Sequence, residues 1–176
     1  MSALAEALVS MGHAVSGADR LVGSTERTLW PSSLARLMAR GVKIFPDDGS
    51  GVDSSVERVV VSTAIEEDNP GLVKARELGI PVVHRAAALS DALSPFKLVA
   101  VAGTCGKSTV TAMLAHVLKS CGLDPFAVNG AAVVGWNGSV ISGKGGYAVA
   151  EVDESDKSLT AFSPYATVIT NSSSDH

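Results

Sequence analysis

Residues 97–120, "KLVAVAGTCGKSTVTAMLAHVLKS", decide the fold class of this chain. The run opens with a short β-rich segment, passes through a glycine turn, and ends in a segment whose apolar residues have helical spacing. A strand that passes through such a turn into a helix exposes successive backbone N–H groups, which bind phosphate together with the helix dipole. The pattern therefore predicts a strand over 97–102, a phosphate-binding turn over 103–106 and a helix over 107–120.

Lys107 and Ser108 add the side chains that a phosphate-binding turn needs. The lysine of such a loop reaches the outer phosphate oxygens, and a hydroxyl at the start of the helix coordinates Mg²⁺. The general pattern GxxxxGK[ST] would require glycine at the position of Val101, so a search for that motif would miss this loop. The alternative is a glycine-rich turn with a solvated lysine, which the flanking strand and helix make the weaker interpretation.

Strand and helix patterns alternate along the rest of the chain. β-rich runs occur at 13–19, 58–63, 80–84, 147–153 and 166–171, and helical patterns occur at 2–11, 32–40 and 70–78. This alternation predicts an α/β fold with mostly parallel sheets, arranged as two domains. Ser94-Pro95 interrupts the pattern, so we expect the domains to cover 1–94 and 95–176.

An acidic cluster follows the predicted strand at 147–153. Its carboxylates are Glu151, Asp153, Glu154 and Asp156. Because Mg²⁺ takes oxygen ligands, an acidic group just past a strand of a phosphate-binding fold is a candidate metal ligand. Taken alone, the cluster fits a solvated surface run equally well. Asn171, Asp175 and His176 follow another strand, and we expect them at the same edge of the sheet.

Composition excludes several classes of protein. The chain has 176 residues, is 46% hydrophobic and carries a formal charge of -4, which gives no support to a nucleic-acid partner. No apolar run approaches the roughly 18 residues of a membrane span, and residues 1–12 lack the features of a secretory signal. We therefore expect a soluble cytoplasmic protein with no membrane partner. Cys105 and Cys121 lack CxxC spacing, so reduced thiols are expected.

Three motifs, taken in order, resemble the Mur ligase family. They are "GTCGKST" at 103–109, "EVDESDKS" at 151–158 and "ITNSSSDH" at 169–176. The stretches 1–19 and 59–89 are similar to the family's UDP-binding domain. The resemblance therefore implies a Rossmann-like UDP-sugar-binding domain over 1–94, followed by a partial P-loop ATP-binding domain over 95–176. Members of this family are ATP-dependent enzymes that join an amino acid to a peptidoglycan precursor. Two features depart from the family pattern: Cys105 replaces its usual His or Asn, and "NSSSDH" replaces a more common apolar-acidic pairing before Asp-His.

The resemblance implies ATP and Mg²⁺ as cofactors and a role for particular residues. Lys107 would contact the ATP phosphates, with Glu151 and His176 as further catalytic residues. Ser108, Glu151 and His176 would position the metal, and Asn171 would lie beside the nucleotide. The implied nucleotide-binding set is Gly103, Thr104, Cys105, Gly106, Lys107, Ser108, Thr109 and Asn171. The implied contacts to the sugar nucleotide are Asp19, Ser62, Ala64, Ile65 and Arg85.

The resemblance is strongest to members that add L-alanine to UDP-N-acetylmuramate in peptidoglycan biosynthesis. The implied chemistry is transfer of a phosphoryl group from ATP to the substrate carboxylate, after which the amine of L-alanine attacks the acyl phosphate. Three alternatives stay open: a member that recycles murein tripeptide, a catalytically inactive nucleotide-binding module, and another P-loop enzyme such as a small kinase. A kinase is disfavoured because no arginine follows Arg85.

Both ends of the sequence suggest a piece of a longer protein. The chain opens inside an amphipathic helix, whereas a unit of this kind normally starts with a strand and a phosphate-binding turn. At the other end, "ATVITNSSSDH" at 166–176 is typical of a strand with its exit loop. We therefore expect a fragment that completes no reaction alone. The sequence does not indicate an oligomeric state.

Overall fold

The structure is a computed structural model that describes residues 1–23, 26, 30–153 and 159–172. Its chain divides into two compact units, Met1–Ala88 and Leu89–His176. The first holds α1 (Ser2–Ser10), β1 (Ser16–Ala18), α2 (Ser32–Ala39), β2 (Lys43–Phe45), β3 (Val59–Val61), α3 (Pro70–Glu77) and β4 (Val82–His84). After α4 (Arg85–Leu93), the second holds β5 (Lys97–Ala102), α5 (Lys107–Ser120), β6 (Phe126–Val133), β7 (Gly138–Ser142), β8 (Tyr147–Glu151) and β9 (Ala166–Ile169).

The first unit contains two strand–helix–strand repeats. β1 pairs in parallel with β2 and β3 pairs in parallel with β4, and a helix connects the strands of each pair. Parallel neighbours require such a crossover, since a tight turn joins only antiparallel strands. Each connecting helix buries apolar side chains on one face, for example Leu34 and Leu37 in α2. Asn69 begins α3, because its side chain accepts hydrogen bonds from the N–H groups of Gly71 and Leu72.

The second unit is built on a five-stranded sheet in the order β7-β6-β8-β5-β9. β6, β8, β5 and β9 run parallel, and β7 returns antiparallel beside β6. Helix α5 packs on one face, where Ala115 joins Val101, Ala127 and Val149 in a cluster with no solvent exposure. The carboxyl ends of the parallel strands therefore meet at one edge, next to the start of α5.

The predicted α/β class with mostly parallel sheets is confirmed, although four elements were not predicted. β6 interrupts its apolar run with Asn129-Gly130, a pair that sequence rules treat as a turn. β2 spans only three residues, α4 lies in an alanine-rich segment close to the expected boundary, and β7 completes a hairpin with β6. In the part of the chain that the structure describes, no helix is long and apolar enough to cross a membrane.

Candidate nucleotide-binding site

The turn between β5 and α5 begins and ends with glycines in the left-handed region. Gly103 has φ +124° and Gly106 has φ +85°. Gly106 is the N-cap of α5, and no side chain caps the helix at this residue. The N–H groups in the first turn of a helix have no partner within the helix, and the dipole gives this end a partial positive charge. The exposed turn therefore has the form of an anion site.

Gly103 cannot be exchanged for a larger residue because the turn lies against the backbone that follows β9. A Cβ atom added to Gly103 would lie 2.8 Å from the carbonyl oxygen of Asn171 and 3.0 Å from its nitrogen, and would also meet Thr170 Oγ1. Real Cβ atoms essentially never approach backbone atoms so closely. Glycine at this position is needed both for its φ angle and for its lack of a side chain.

Side chains that follow β9 hold the middle of the turn. Thr170 Oγ1 donates a hydrogen bond to the Cys105 carbonyl oxygen at 2.6 Å. The Asn171 side chain accepts from the Cys105 N–H at 3.1 Å and donates to the Cys105 carbonyl at 3.3 Å. These bonds fix both backbone polar groups of Cys105. The turn is therefore shaped by a segment about 65 residues further along the chain.

Lys107 reaches back across the turn that it follows. Its Nζ atom donates a hydrogen bond to the Gly103 carbonyl oxygen at 2.6 Å, and the residue is half-buried. The ammonium group therefore lies beside the exposed backbone of the turn. A lysine in this position adds a full positive charge to the partial charge of the helix end.

Ser108 and Glu151 place a hydroxyl oxygen and a carboxylate oxygen together beside the turn. Ser108 Oγ donates to Glu151 Oε2 at 2.8 Å, and the Gly130 N–H donates to the same carboxylate oxygen at 2.9 Å. Strand pairing explains this meeting, since Val101 of β5 is opposite Glu151 of β8. A Cβ atom on Gly130 would lie 2.7 Å from Glu151 Oε2, so glycine leaves the space that the carboxylate occupies.

The donor set beside the turn fits a hard cation. A hydroxyl and a carboxylate are oxygen ligands of the kind that Mg²⁺ prefers, and nucleotide-bound Mg²⁺ takes only one or two from the protein. Among the described residues, no group of three or more His, Cys, Asp or Glu could hold a metal ion. His176, proposed from sequence as a catalytic and metal residue, lies outside the described residues, as do Glu154, Asp156 and Asp175.

The residues expected to contact the sugar nucleotide lie at strand ends of the first unit. Asp19 directly follows β1, and its carboxylate accepts the Leu21 N–H at 2.9 Å. Ser62 follows β3, and its carbonyl accepts the Ile65 N–H at 3.1 Å, which closes a turn that includes Ala64. Arg85 follows β4, whose last residue is opposite the last residue of β3. The structure therefore places Ser62 and Arg85 at one end of the β3–β4 pair and Asp19 at the end of the other pair.

Gly130 and Thr170 contribute to the second unit's site but were not singled out from the sequence. The isolated glycine inside β6 carried a usable signal, because glycine in a strand often marks a close approach by another group. Thr170 carried none, since its contact with Cys105 depends on the pairing of β9 with β5. Thr104 and Thr109 are exposed at the turn, as the sequence motif suggests.

Two known ligases are similar to this chain along its full length. A UDP-N-acetylmuramate–L-alanine ligase from Carboxydothermus hydrogenoformans is 44% identical over 177 residues, which cover 100% of this chain and 36% of the relative. The solved UDP-N-acetylmuramate-alanine ligase of Thermotoga maritima matches 100% of this chain and 40% of its own, with a TM-score of 0.87 and 33% identity. This chain therefore spans well under half the length of either protein.

A third relative supports the fold alone. The UDP-N-acetylmuramate:L-alanyl-gamma-D-glutamyl-meso-diaminopimelate ligase of Neisseria meningitides matches 100% of this chain and 58% of its own, with a TM-score of 0.84 and 24% identity. The family described as "Mur ligase family, catalytic domain" matches residues 1–97, more than half of the chain. This match agrees with the turn between β5 and α5 and with the parallel strands in each unit. The chain belongs to the Mur ligase family.

Proposed function

We propose that this chain supplies the sugar-nucleotide-binding and ATP-phosphate-binding parts of a ligase that joins L-alanine to UDP-N-acetylmuramate. The observation that carries the proposal is the Ser108–Glu151 hydrogen bond at 2.8 Å, directly beside the turn that Lys107 spans. The N–H groups of the turn, the Lys107 ammonium and two oxygen ligands for Mg²⁺ then lie at one edge of the sheet. Such a ligase acts in peptidoglycan biosynthesis, and we assign it to the cytoplasm, where ATP is available.

The chemistry asked of these residues is mainly positioning and neutralisation of charge. The N–H groups of the turn and Lys107 bind and orient the ATP phosphates. Ser108 and Glu151 would hold Mg²⁺, which neutralises charge on the phosphates when bound. The phosphates would be surrounded by the residues of the turn and of the start of α5, together with Asn171. The turn and helix residues are Gly103, Thr104, Cys105, Gly106, Lys107, Ser108 and Thr109. None of these side chains acts as a nucleophile. The substrate carboxylate attacks the terminal phosphate and releases ADP, and the amine of L-alanine then attacks the acyl phosphate, forming the amide and releasing inorganic phosphate.

The two units divide the substrates between them in this proposal. Residues 1–94 bind the UDP sugar, and residues 95–176 bind ATP. For the first role we propose contacts from Asp19, Ser62, Ala64, Ile65 and Arg85. Their support is their location just past the carboxyl ends of parallel strands, where ligands of open α/β sheets bind. His176 is proposed as a further metal-positioning residue on the family motif alone.

The relatives favour L-alanine over a larger acceptor. The 44% and 33% identical relatives are both named as alanine ligases, whereas the L-alanyl-gamma-D-glutamyl-meso-diaminopimelate ligase of Neisseria meningitides is 24% identical. A catalytically inactive nucleotide-binding module is the second alternative. It shares the same turn, so only an assay of the reaction separates it from a ligase.

A chimaera tests the proposed reaction. Residues 1–176 would replace the matching part of the Thermotoga maritima ligase, which supplies the remaining length. We expect phosphate release that requires ATP, UDP-N-acetylmuramate and L-alanine together, and a stable amide product. The same chimaera with Lys107→Ala should lose this release, whereas Lys119→Ala, a control at the other end of α5, should retain it.

Two outcomes would contradict the alanine-ligase proposal. Release with UDP-N-acetylmuramate and murein tripeptide, but not with L-alanine, would favour the recycling ligase. A folded chimaera that binds ATP but forms no amide with either acceptor would favour the inactive module. We expect the 176-residue chain alone to release no phosphate, because ordering an amine against an acyl phosphate contributes about 7 to 11 kcal/mol and needs both reactants held.

A further inference from the structure

Two buried polar side chains lie on elements that contribute to the site: Thr111 on α5 with Ser108, and Asn129 on β6 beside Gly130. Thr111 is fully buried and Asn129 is 2% exposed. Among the residues that the structure describes, neither Thr111 Oγ1 nor Asn129 Oδ1 has a hydrogen-bond partner. A buried hydroxyl or amide oxygen without a partner is costly, and folded proteins satisfy nearly all of them. The Thr111 hydroxyl can donate a hydrogen bond and Asn129 Oδ1 can only accept one, so the two groups are complementary.

Both residues face the interface between α5 and the sheet. Ala115 of α5 packs with Ala127 of β6 and Val149 of β8 in the buried cluster. Thr111 lies four residues before Ala115, which places it on the same face of the helix one turn closer to Lys107. Asn129 lies two residues after Ala127, which places it on the same face of its strand.

The carboxylate lies at the same level of this interface. Glu151 follows Val149 by two residues in β8, and Ala127 is opposite Val149 in the pairing of β6 with β8. Continuing that register brings Asn129 opposite Glu151. The hydrogen bond from Ser108 confirms that the carboxylate faces α5. Asn129 therefore lies next to the carboxylate on the side that α5 covers.

Asn129 also shapes the backbone that holds the carboxylate. Its Nδ2 atom donates to the Ala131 carbonyl at 3.1 Å, which bridges Gly130. The pairing of β6 with β7 shifts register between Val128 and Val133, so this stretch lacks a regular ladder to fix it. The Gly130 N–H, in the middle of the stretch, donates to Glu151 Oε2. The orientation of the Asn129 amide thus determines where that N–H points.

We propose that one enclosed water bridges the Thr111 hydroxyl and Asn129 Oδ1, and that this bridge makes Thr111 and Asn129 positioning residues for Glu151. The hydroxyl fixes the amide, the amide fixes the Gly130 backbone, and Gly130 holds the carboxylate beside Ser108. The inference rests on the proposed role of Glu151 in binding Mg²⁺ with ATP. It predicts that the interior of the helix–sheet interface sets the magnesium dependence of nucleotide binding.

Calorimetric titration of ATP into the 176-residue chain, with saturating Mg²⁺ and separately with EDTA, tests the proposal. Thr111→Val and Asn129→Leu each remove a polar group while keeping the shape. We expect each to raise the Kd for Mg-ATP about tenfold, as expected for one buried hydrogen bond. Neither should change the Kd for ATP in EDTA. The double variant should be no weaker than the single variants, and Thr111→Ser should restore wild-type binding.

Val128→Ala is the matched control for a merely structural effect. Val128 is buried beside Asn129 on the opposite face of β6, so its truncation should lower the melting temperature without changing the Mg²⁺ dependence. Equal Kd values for Mg-ATP in wild type, Thr111→Val and Asn129→Leu would overturn the inference while leaving the proposed function intact. A wild-type chain that does not bind Mg-ATP at all would instead overturn the proposed function.

A crystal structure of the wild-type chain decides the question even if the variants fail to fold. We expect Thr111 Oγ1 and Asn129 Oδ1 to be bonded to one shared water. A Thr111 hydroxyl that bonds only the Lys107 carbonyl, the common partner for a threonine within a helix, would overturn the proposal.

Discussion

The two units place their candidate binding residues in the same kind of location but hold them differently. In the second unit, the turn is tied to distant segments: Cys105 to Asn171, 66 residues away, and Ser108 to Glu151, 43 residues away. In the first unit, the Asp19 N–H donates to the Phe45 carbonyl at 3.0 Å, which ties that loop to the end of β2, but the Asp19 carboxylate and the Ser62 carbonyl bond within their own loops. Asp19 accepts from Leu21, and the Ser62 carbonyl accepts from Ile65. In both units the candidate loops follow the ends of parallel strands. In the second, side chains of the site itself bond across the sheet, from Asn171 to Cys105 and from Ser108 to Glu151.

This difference indicates how each site recognises its ligand. A cross-linked turn holds its N–H groups and charges in place before a ligand arrives, which reduces the entropy lost on binding. Such rigidity suits phosphates, whose geometry is always the same. The Asp19 carboxylate and the Ser62–Ile65 turn bond within their own loops, so we expect them to adjust to a larger ligand such as a sugar nucleotide. We therefore expect changes at the turn to affect both stability and the binding of Mg-ATP, and the matched changes in the first unit to lower stability without changing the binding of Mg-ATP.

Gly103→Ala should cause the largest loss of stability. Alanine at φ +124° would be strained, and its Cβ atom would collide with the backbone of Asn171. We expect the free energy of unfolding to fall by about 3 kcal/mol in urea denaturation, at the upper end for strained positions. Gly12→Ala is the matched change in the first unit, because Gly12 has φ +91° but open space around its Cβ position. It should cost about 1 kcal/mol. Equal losses of stability in the two variants would mean that the close approach of Asn171 to Gly103 adds nothing to the cost of Gly103→Ala.

Two asparagines allow a smaller and more specific comparison. Asn69→Ala removes the cap of α3 and should lower the free energy of unfolding by about 1 kcal/mol. Asn171→Ala removes both side-chain bonds to the Cys105 backbone and should have a similar effect on stability. The two variants should differ in titrations with Mg-ATP, where only Asn171→Ala weakens binding. A loss of ATP affinity in Asn69→Ala would contradict the separation of roles.

The two cysteines give the smallest change and test the location of the bound nucleotide. Cys105 in the turn and Cys121 after α5 are both exposed and free. We expect Mg-ATP to slow the labelling of Cys105 by iodoacetamide and to leave the labelling of Cys121 unchanged. Mass spectrometry after a brief reaction measures both sites in one sample. Protection of Cys121, or equal rates at Cys105 with and without Mg-ATP, would place the nucleotide elsewhere.

The part of the fold predicted best is the part with the strongest local signals. The segment from Lys97 to Ser120 contains an apolar strand, two glycines and a helical pattern, and its strand and helix have the predicted bounds. β6 was not predicted because Asn129-Gly130 breaks its apolar run. In the structure that break is compensated by hydrogen bonds to Ala131 and Glu151, which only the assembled sheet supplies.

The candidate site follows the same rule. Lys107 and Ser108 were proposed from local chemistry, because the strand and helix that present them are adjacent in sequence. The hydrogen bond from Thr170 to Cys105 could not be proposed in this way, since it needs β9 to pair beside β5. The orphaned oxygens of Thr111 and Asn129 are a feature of packing and leave no pattern in the sequence.

Calorimetric titration of Mg-ATP into the wild-type chain and into Lys107→Ala tests the central claim most directly. The claim is that the turn, with the Lys107 ammonium beside it, binds the phosphates of ATP. Loss of a charge-assisted bond should weaken binding about 100-fold, since such bonds contribute about 1.5 to 3 kcal/mol and each 1.4 kcal/mol changes Kd tenfold. Lys119→Ala, which removes an exposed lysine from the last turn of α5, should bind as the wild type does. Equal affinity for wild type and Lys107→Ala, or a wild-type chain that binds no Mg-ATP, would contradict the account.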